Sequence, residues 1–278
     1  MADRVLDGPH GPLTVRIYAP DAPAGPGLVW VHGGGFAGGD LDMPESDWVA
    51  SAFAARGIAV VAVDYRLAPL PPQWTAPGDE PRPDGVRYPV ASDEVEAVFR
   101  WAAASDLASG PWSLGGASAG GNLAAGAALR LAQTGGPVPA LAVLAYPTLH
   151  AVQGNPDAAL RAALDARPEA DGFGPEAVRL MYENYLGGPV DGADVYAIPG
   201  TATVAELAVF PPTIMINDEV DELRVSGEAF AAALRAAGVE IDVTTEPGTQ
   251  HGHLNRPEEP AAHASIERYA ARILATAR

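Results

Sequence analysis

Gly116-Ala117-Ser118-Ala119-Gly120 is the stretch on which the reading of this 278-residue chain turns. A short apolar run, Trp112 to Leu114, precedes it, and an alanine-rich run of helical character, Ala119 to Gln133, follows. A serine with glycine two residues away on either side, between a strand and a helix, has the form of a nucleophile elbow. Where a strand turns sharply into a helix, a strained serine leaves no room for Cβ atoms at plus and minus two, and Gly116 and Gly120 supply the space. The turn would lift the Ser118 hydroxyl to the top of a sheet. It would also set the Ala119 N–H at a helix N-terminus, where it can donate to a developing anion.

Outward from the elbow, strands and helices alternate. Leu13 to Tyr18 alternates as a half-buried strand, Gly27 to His32, Ile58 to Val63 and Leu141 to Ala145 read as buried ones, and Thr213 to Asn217 and Ile241 to Thr245 continue the strand-helix alternation. Helices are predicted over Pro44 to Arg56 with Phe53 inward and Gly57 as its stop, and from a Ser92 cap through Val95, Val98, Phe99 and Ala102. Another runs over Arg224 to Ala237, closed by Gly238, and the last carries Ile266, Ala270, Ile273 and Leu274 inward. Continuous apolar strands separated by helices predict an α/β fold with a mostly parallel, doubly wound sheet.

Between Leu149 and Val209 the strand signal stops, and helical pieces at Pro156 to Ala166 and Pro175 to Leu186 stand among glycine and proline breaks. The expected organisation is a core of residues 1–148 and 210–278 with a helical cap, 149–209, inserted after a core strand. The span Leu70 to Val86, dense in proline, glycine and acids, reads as an ordered loop at the mouth of the site. Phe36, Trp48, Trp74 and the helices of Pro156 to Leu186 are candidates for the pocket wall.

Composition excludes several chemistries. There is no cysteine, hence no disulfide, thiolate nucleophile or sulfur-ligated metal. All 17 basic residues are arginine, so a Schiff-base lysine or a phosphate-loop lysine is impossible. A formal charge of −18 opposes nucleic acid and anionic membranes and favours neutral substrates over anionic ones. No run approaches the ~18 apolar residues of a membrane span. The opening Met-Ala-Asp-Arg-Val-Leu-Asp lacks a basic segment followed by an apolar one, and the expectation is a soluble cytoplasmic protein.

A serine on such a turn requires a base, and at neutral pH that is most often histidine. Of the six, His10 and His263 do not follow strand ends, where sites in doubly wound sheets lie. His251 follows the strand Ile241 to Thr245, and Gly252 leaves its ring unobstructed; His253, two residues on, is the rival. The acid that orients the base should fall between serine and histidine, and Asp218, Glu219, Asp221 and Glu222 all qualify by spacing. Upstream, His32-Gly33-Gly34-Gly35-Phe36 follows a strand directly, and its backbone amides suit an anion cradle.

Together, His32-Gly33-Gly34-Gly35-Phe36, Asp64-Tyr65-Arg66-Leu67-Ala68-Pro69, Gly116-Ala117-Ser118-Ala119-Gly120-Gly121-Asn122, Asp221-Glu222-Leu223-Arg224 and His251-Gly252 resemble, in order and separation, the hormone-sensitive-lipase branch of the α/β-hydrolases. The resemblance runs from about Leu13 to the C-terminus. It implies an α/β-hydrolase fold and a serine carboxylesterase with Ser118 as nucleophile, His251 as base and Asp221 as orienting acid. It further implies oxyanion donors at Gly34, Gly35 and Ala119, with His32 and Gly33 shaping the loop. Small to medium neutral acyl or aryl esters are the expected substrates, with no cofactor and no metal, and a homodimer through an exposed sheet edge is common among such enzymes. Amidase or arylformamidase action by the same triad is the alternative, and a non-catalytic binding module a more distant one. Ala117, Glu222 in place of the family's usual proline, and the 70–86 insertion are departures that bear on substrate size. His251 and His253 also pose the question of a metal pair, for which two loop histidines are a weak basis.

Overall fold

The computed structural model describes residues 1–20, 25–71 and 84–277. Most of the predicted 70–86 loop, including Trp74, lies outside the described residues.

Eight strands form one sheet: β1 (Ala2–Gly8), β2 (Gly11–Tyr18), β3 (Gly27–Val31), β4 (Ala59–Val63), β5 (Trp112–Ala117), β6 (Ala142–Ala145), β7 (Thr213–Val220) and β8 (Ile241–Gln250). Their spatial order is β1-β2-β4-β3-β5-β6-β7-β8. β1 and β2 run antiparallel to their neighbours, and the six strands from β4 to β8 are mutually parallel. The helices are α1 (Asp47–Ala54), α2 (Val90–Ala103), α3 (Ala119–Gln133), α4 (Ala158–Asp165), α5 (Pro175–Leu186), α6 (Val204–Leu207), α7 (Arg224–Ala236) and α8 (Pro260–Ala275).

The two-residue period of the strands splits the core into two layers. From β3, Val29 and Val31 join Val95, Val98, Phe99, Leu123 and Phe230 on the α2, α3 and α7 side. Leu28 and Trp30 join Val49, Phe53, Ile266, Tyr269 and Ile273 on the α1 and α8 side. Both faces of the central parallel strands are therefore covered, which is why they read as unbroken apolar runs, while β8, at the sheet edge, is only partly buried.

Three local expectations change. Ser92 is no cap: α2 begins two residues earlier, Pro89 holds the N-cap position, and Ser92 is buried on the helix. β1 went unpredicted because Ala-Asp-Arg-Val-Leu-Asp-Gly has no apolar face; it is held by backbone pairing to β2 and is largely exposed. β8 continues past Thr245 to Gln250, and its pairing with β7 shifts register between Asp218 and Val220.

Between β6 and β7 the described residues contain α4, α5 and α6 and no strand. α5 docks on the sheet's C-terminal edge through Tyr182, whose hydroxyl accepts from Asn122 Nδ2 at 2.7 Å and donates to Thr148 O at 3.0 Å. Phe36 stacks on Tyr185 with ring centroids 4.1 Å apart.

Candidate active site

The elbow has the strain its sequence implies. Ser118 sits at φ 52°, ψ −118°, a conformation an L-residue adopts only when its surroundings impose it. A Cβ on Gly116 would meet Gly120 C at 2.5 Å, and one on Gly120 would meet Val31 O at 2.2 Å and His32 O at 2.3 Å. The two glycines thus let the strand, the helix and the neighbouring strand β3 converge. Ser118 N–H donates to Ala145 O at 2.9 Å, locking the turn to β6.

His251 Nε2 lies 3.0 Å from Ser118 Oγ, and His251 Nδ1 lies 2.7 Å from Asp221 Oδ2. Asp221 is fully buried, and its other oxygen accepts from Leu223 N–H at 2.9 Å. An ionised carboxylate only accepts, so Nδ1 carries the proton and Nε2 of the neutral ring is free to accept from Ser118. Burial alone would lower the His251 pKa; the charges of Asp221, Asp218 and Glu45 and the Asp221 hydrogen bond outweigh it, and the pKa is raised.

The four carboxylates that spacing left equivalent have four different partners. Asp221 meets His251, Asp218 meets His253, Glu219 accepts from Gly248 N–H at 2.7 Å, and Glu222 accepts from Phe173 N–H at 2.8 Å. His253 is turned away from the serine, towards Asp218 and Ser265 Oγ. That orientation leaves His251, not the rival His253, as the imidazole beside Ser118. Asp218, Asp221 and His251 do bring ligand-type atoms within 4.8 Å of one another, with both His251 nitrogens already engaged by Asp221 and Ser118.

The Gly33–Gly35 loop is pinned from beneath. Tyr65 O–H donates to His32 O at 3.0 Å, and Ala68 N–H donates to Phe36 O at 2.8 Å, which is what the Asp64–Pro69 stretch contributes. His32 stacks on Tyr65 with centroids 4.5 Å apart, its Nδ1 is 2.8 Å from Gly33 O, and burial lowers its pKa, so it is a neutral strut. Gly34 and Gly35 line a cavity of about 420 Å³ shared with Ser118 and His251, and Ala119 opens α3, where its N–H has no acceptor within the helix.

The rest of the cavity wall is Met43, Glu45, Gly172, Phe173, Ala177, Met181, Gly252, Asn255 and Arg256. Of the predicted wall, α5 contributes Ala177 and Met181. Phe36 and Trp48 do not line it: Phe36 is buried beneath α5, and Trp48 packs edge-on against His263. Phe173 does, with its ring centroid 4.4 Å from that of His251, and it had no periodic or motif signal to mark it.

Sequence reasoning also missed Glu45. Its buried carboxylate accepts from Gly33 N–H at 2.7 Å, Tyr146 O–H at 2.5 Å and Asn255 Nδ2 at 3.1 Å, and burial raises its pKa. One side chain thereby ties the glycine loop to the strand β6 exit and to the turn after His251.

A parallel sheet that presents a serine on a strand-to-helix turn, beside a glycine-loop cradle and within reach of an imidazole and a carboxylate from later strands, is the architecture of an α/β-hydrolase. The model of a family described as having the alpha/beta hydrolase fold matches residues 28–79 and 83–255, and the chain belongs to that family, in its hormone-sensitive-lipase-like branch. It is 32% identical over 267 residues to Esterase LipI of Mycobacterium tuberculosis, covering 91% of this chain and 75% of the relative. To the ethyl acetate hydrolase of Pseudomonas putida it is 32% identical over 258 residues, 87% of this chain and 71% of that protein. Among solved structures, the Pyrobaculum calidifontis esterase superposes with a TM-score of 0.82 at 29% identity, over 99% of this chain and 85% of the other.

Proposed function

We propose that the protein is a serine carboxylesterase that hydrolyses small to medium uncharged acyl or aryl esters through an acyl-enzyme. The observation that carries this reading is the continuous line Ser118 Oγ, His251 Nε2, His251 Nδ1, Asp221 Oδ2, with links of 3.0 and 2.7 Å, at the floor of a cavity that the glycine loop also lines. Relatives named for ester hydrolysis support it.

His251 takes the Ser118 proton as Oγ attacks the ester carbonyl, and Asp221 stabilises the imidazolium that forms. The Gly34, Gly35 and Ala119 N–H groups donate to the developing oxyanion. His251 then returns its proton to the leaving alkoxide, and water, activated by the same ring, releases the acid. Met43, Phe173, Ala177 and Met181 make the wall largely apolar. Arg256, its cation, is already held by Glu259 at 2.8 Å and by Gln250 O at 2.9 Å, which favours uncharged substrates. Residues 149–209 act as the cap and 1–148 with 210–278 as the core in this account, the cap supplying the wall from Gly172 to Met181. A cytoplasmic site of action and a homodimer through an exposed edge such as β1 belong to the same proposal; among the described residues no helix is long and apolar enough to cross a membrane.

A chain-length series of p-nitrophenyl esters tests the reading. Turnover should peak at short to medium acyl chains and vanish in Ser118→Ala. Parent-rate hydrolysis by that variant would defeat it, and faster turnover of a matching formamide than of the ester would shift it to an amidase.

A further inference from the structure

A second serine-histidine-acid array lies buried behind the first. His253 Nδ1 meets Asp218 Oδ1, His253 Nε2 is 2.9 Å from Ser265 Oγ, and the Ser265 hydroxyl donates to Glu246 Oε2 at 3.1 Å. Arg268 pairs with Glu246 at the outer end. His253, Asp218 and Ser265 are fully buried, so no ester reaches this serine.

Proton counting fixes the charge of the array. Glu246, held by Arg268, is an ionised acceptor, and the single hydroxyl proton of Ser265 goes to it. Ser265 can then only accept from His253, so Nε2 carries a proton. Nδ1 faces a carboxylate oxygen, and that contact also needs a proton between its two atoms. With one proton on Nε2 and one between Nδ1 and the carboxylate, the Asp218–His253 pair carries no net charge.

Asp218 is also a neighbour of the reacting groups. It brings a carboxylate oxygen within 4.8 Å of ligand atoms of Asp221 and His251, and its Oδ2 is buried with no hydrogen-bond partner among the described residues. Tyr146 stands between the two imidazoles, its ring 5.2 Å from His251 and 5.3 Å from His253, both nearly edge-on. An unneutralised Asp218 would place a second anion beside the Asp221–His251 pair in a water-poor interior, where such charges act strongly.

We propose that His253 is a positioning residue for the base His251: a buried imidazolium that neutralises Asp218 and so holds the His251–Asp221 pair at one net negative neighbour instead of two. The charged and titratable groups facing this region are Asp221 and Asp218 from the end of β7, Glu45 from the turn before α1, Tyr146 after β6, Glu246 on β8, and Tyr269 and Arg268 on α8. Of these, only Asp218 hydrogen-bonds to His253 directly, and Glu246 is linked to it through Ser265 Oγ, so the charge nearest the imidazole is that of Asp218.

The role rests on His251 being the base of the proposed esterase reaction, but the charge state does not, and the experiment separates the two. Nitrogen-15 NMR of the histidine-labelled full-length protein at pH 7.5 should show both His253 ring nitrogens protonated; one bare ring nitrogen overturns the inference. In His253→Gln the amide still donates to Asp218 but brings no charge. The acid limb of kcat against pH should then move up by roughly one to two units. Asp218→Asn combined with His253→Gln should bring the limb back, because the neutral pair is restored. A His253→Gln profile that superposes on the parent's overturns the proposal, as does a double variant that stays shifted. Loss of ester hydrolysis by the parent protein, with both His253 nitrogens protonated, would instead refute the esterase reading and leave the charge assignment standing.

Discussion

Removing Glu45 should cost both stability and turnover. In Glu45→Ala three donors, the buried Gly33 N–H and Tyr146 O–H and the half-buried Asn255 Nδ2, lose the acceptor they now have at 2.5 to 3.1 Å. An unsatisfied buried donor costs about 1–3 kcal/mol, so the three set a ceiling near 9 kcal/mol. Because Glu45 lines the cavity, water can enter and replace part of what is lost, and the lower bound, about 3 kcal/mol, is the expected cost. For a chain of this size that corresponds to a drop in Tm of roughly 6–12 °C. The kinetic effect follows from Gly33, the residue before the two amides proposed to hold the oxyanion: losing one well-placed donor of that kind costs on the order of 10² to 10³ in kcat. Turnover of a p-nitrophenyl ester should therefore fall about 100-fold with little change in KM, while Glu45→Gln, which keeps an acceptor for Gly33, recovers much of it. A Glu45→Ala enzyme with kcat within twofold of the parent would show that the loop is held without this carboxylate.

Because the His251 pKa is raised, the acid limb of kcat/KM should have its midpoint above 6.5, and Glu45→Gln should move it down, since Glu45 is one of the charges that raise it. The same shift has the opposite sign for stability: the contribution of protonated His251 is complete below the unfolded value of about 6.5 and is lost as pH rises through the folded one, so Tm should decline across the interval in which rate increases. Gly120→Ala, whose Cβ would sit 2.2 Å from Val31 O, should destabilise by about 3 kcal/mol in denaturant unfolding, whereas Gly135→Ala, with open space and only its φ of 73° against it, should cost about 1 kcal/mol. Phe173→Ala removes the ring beside His251 and should raise KM for aryl esters roughly tenfold, about 1.4 kcal/mol, with a smaller change in kcat; an unchanged KM would remove Phe173 from the binding wall.

The parts of the fold visible in the sequence are those where one local rule is sufficient. α3 and α5 begin and end where their composition says, the first at a serine on a glycine-flanked turn and the second between Pro175 and Gly187 in the left-handed region. The buried strands are apolar on both faces because helices cover both, so length and flanking breaks were enough to find them. β1 was not legible, since an exposed edge strand needs no side-chain pattern, and Ser92 misled because a residue type favoured at caps is here simply packed inside a helix. Among site residues, Ser118 and the glycine loop advertise themselves through backbone demands that only glycine meets. Asp221 could not be told from Asp218, Glu219 and Glu222 by spacing, because what distinguishes them is the register shift between β7 and β8 and the partners each meets across it. Glu45 and the Asp218–His253 pair are contacts between residues 12 to 210 and 35 positions apart, respectively, and nothing local marks either.

Mass spectrometry of the folded protein after treatment with a fluorophosphonate probe tests the central claim most directly. A single adduct should appear on the peptide containing Ser118, be absent in Ser118→Ala, and form far more slowly in His251→Asn. An adduct on a different residue, or none at all on well-folded protein, would contradict the account.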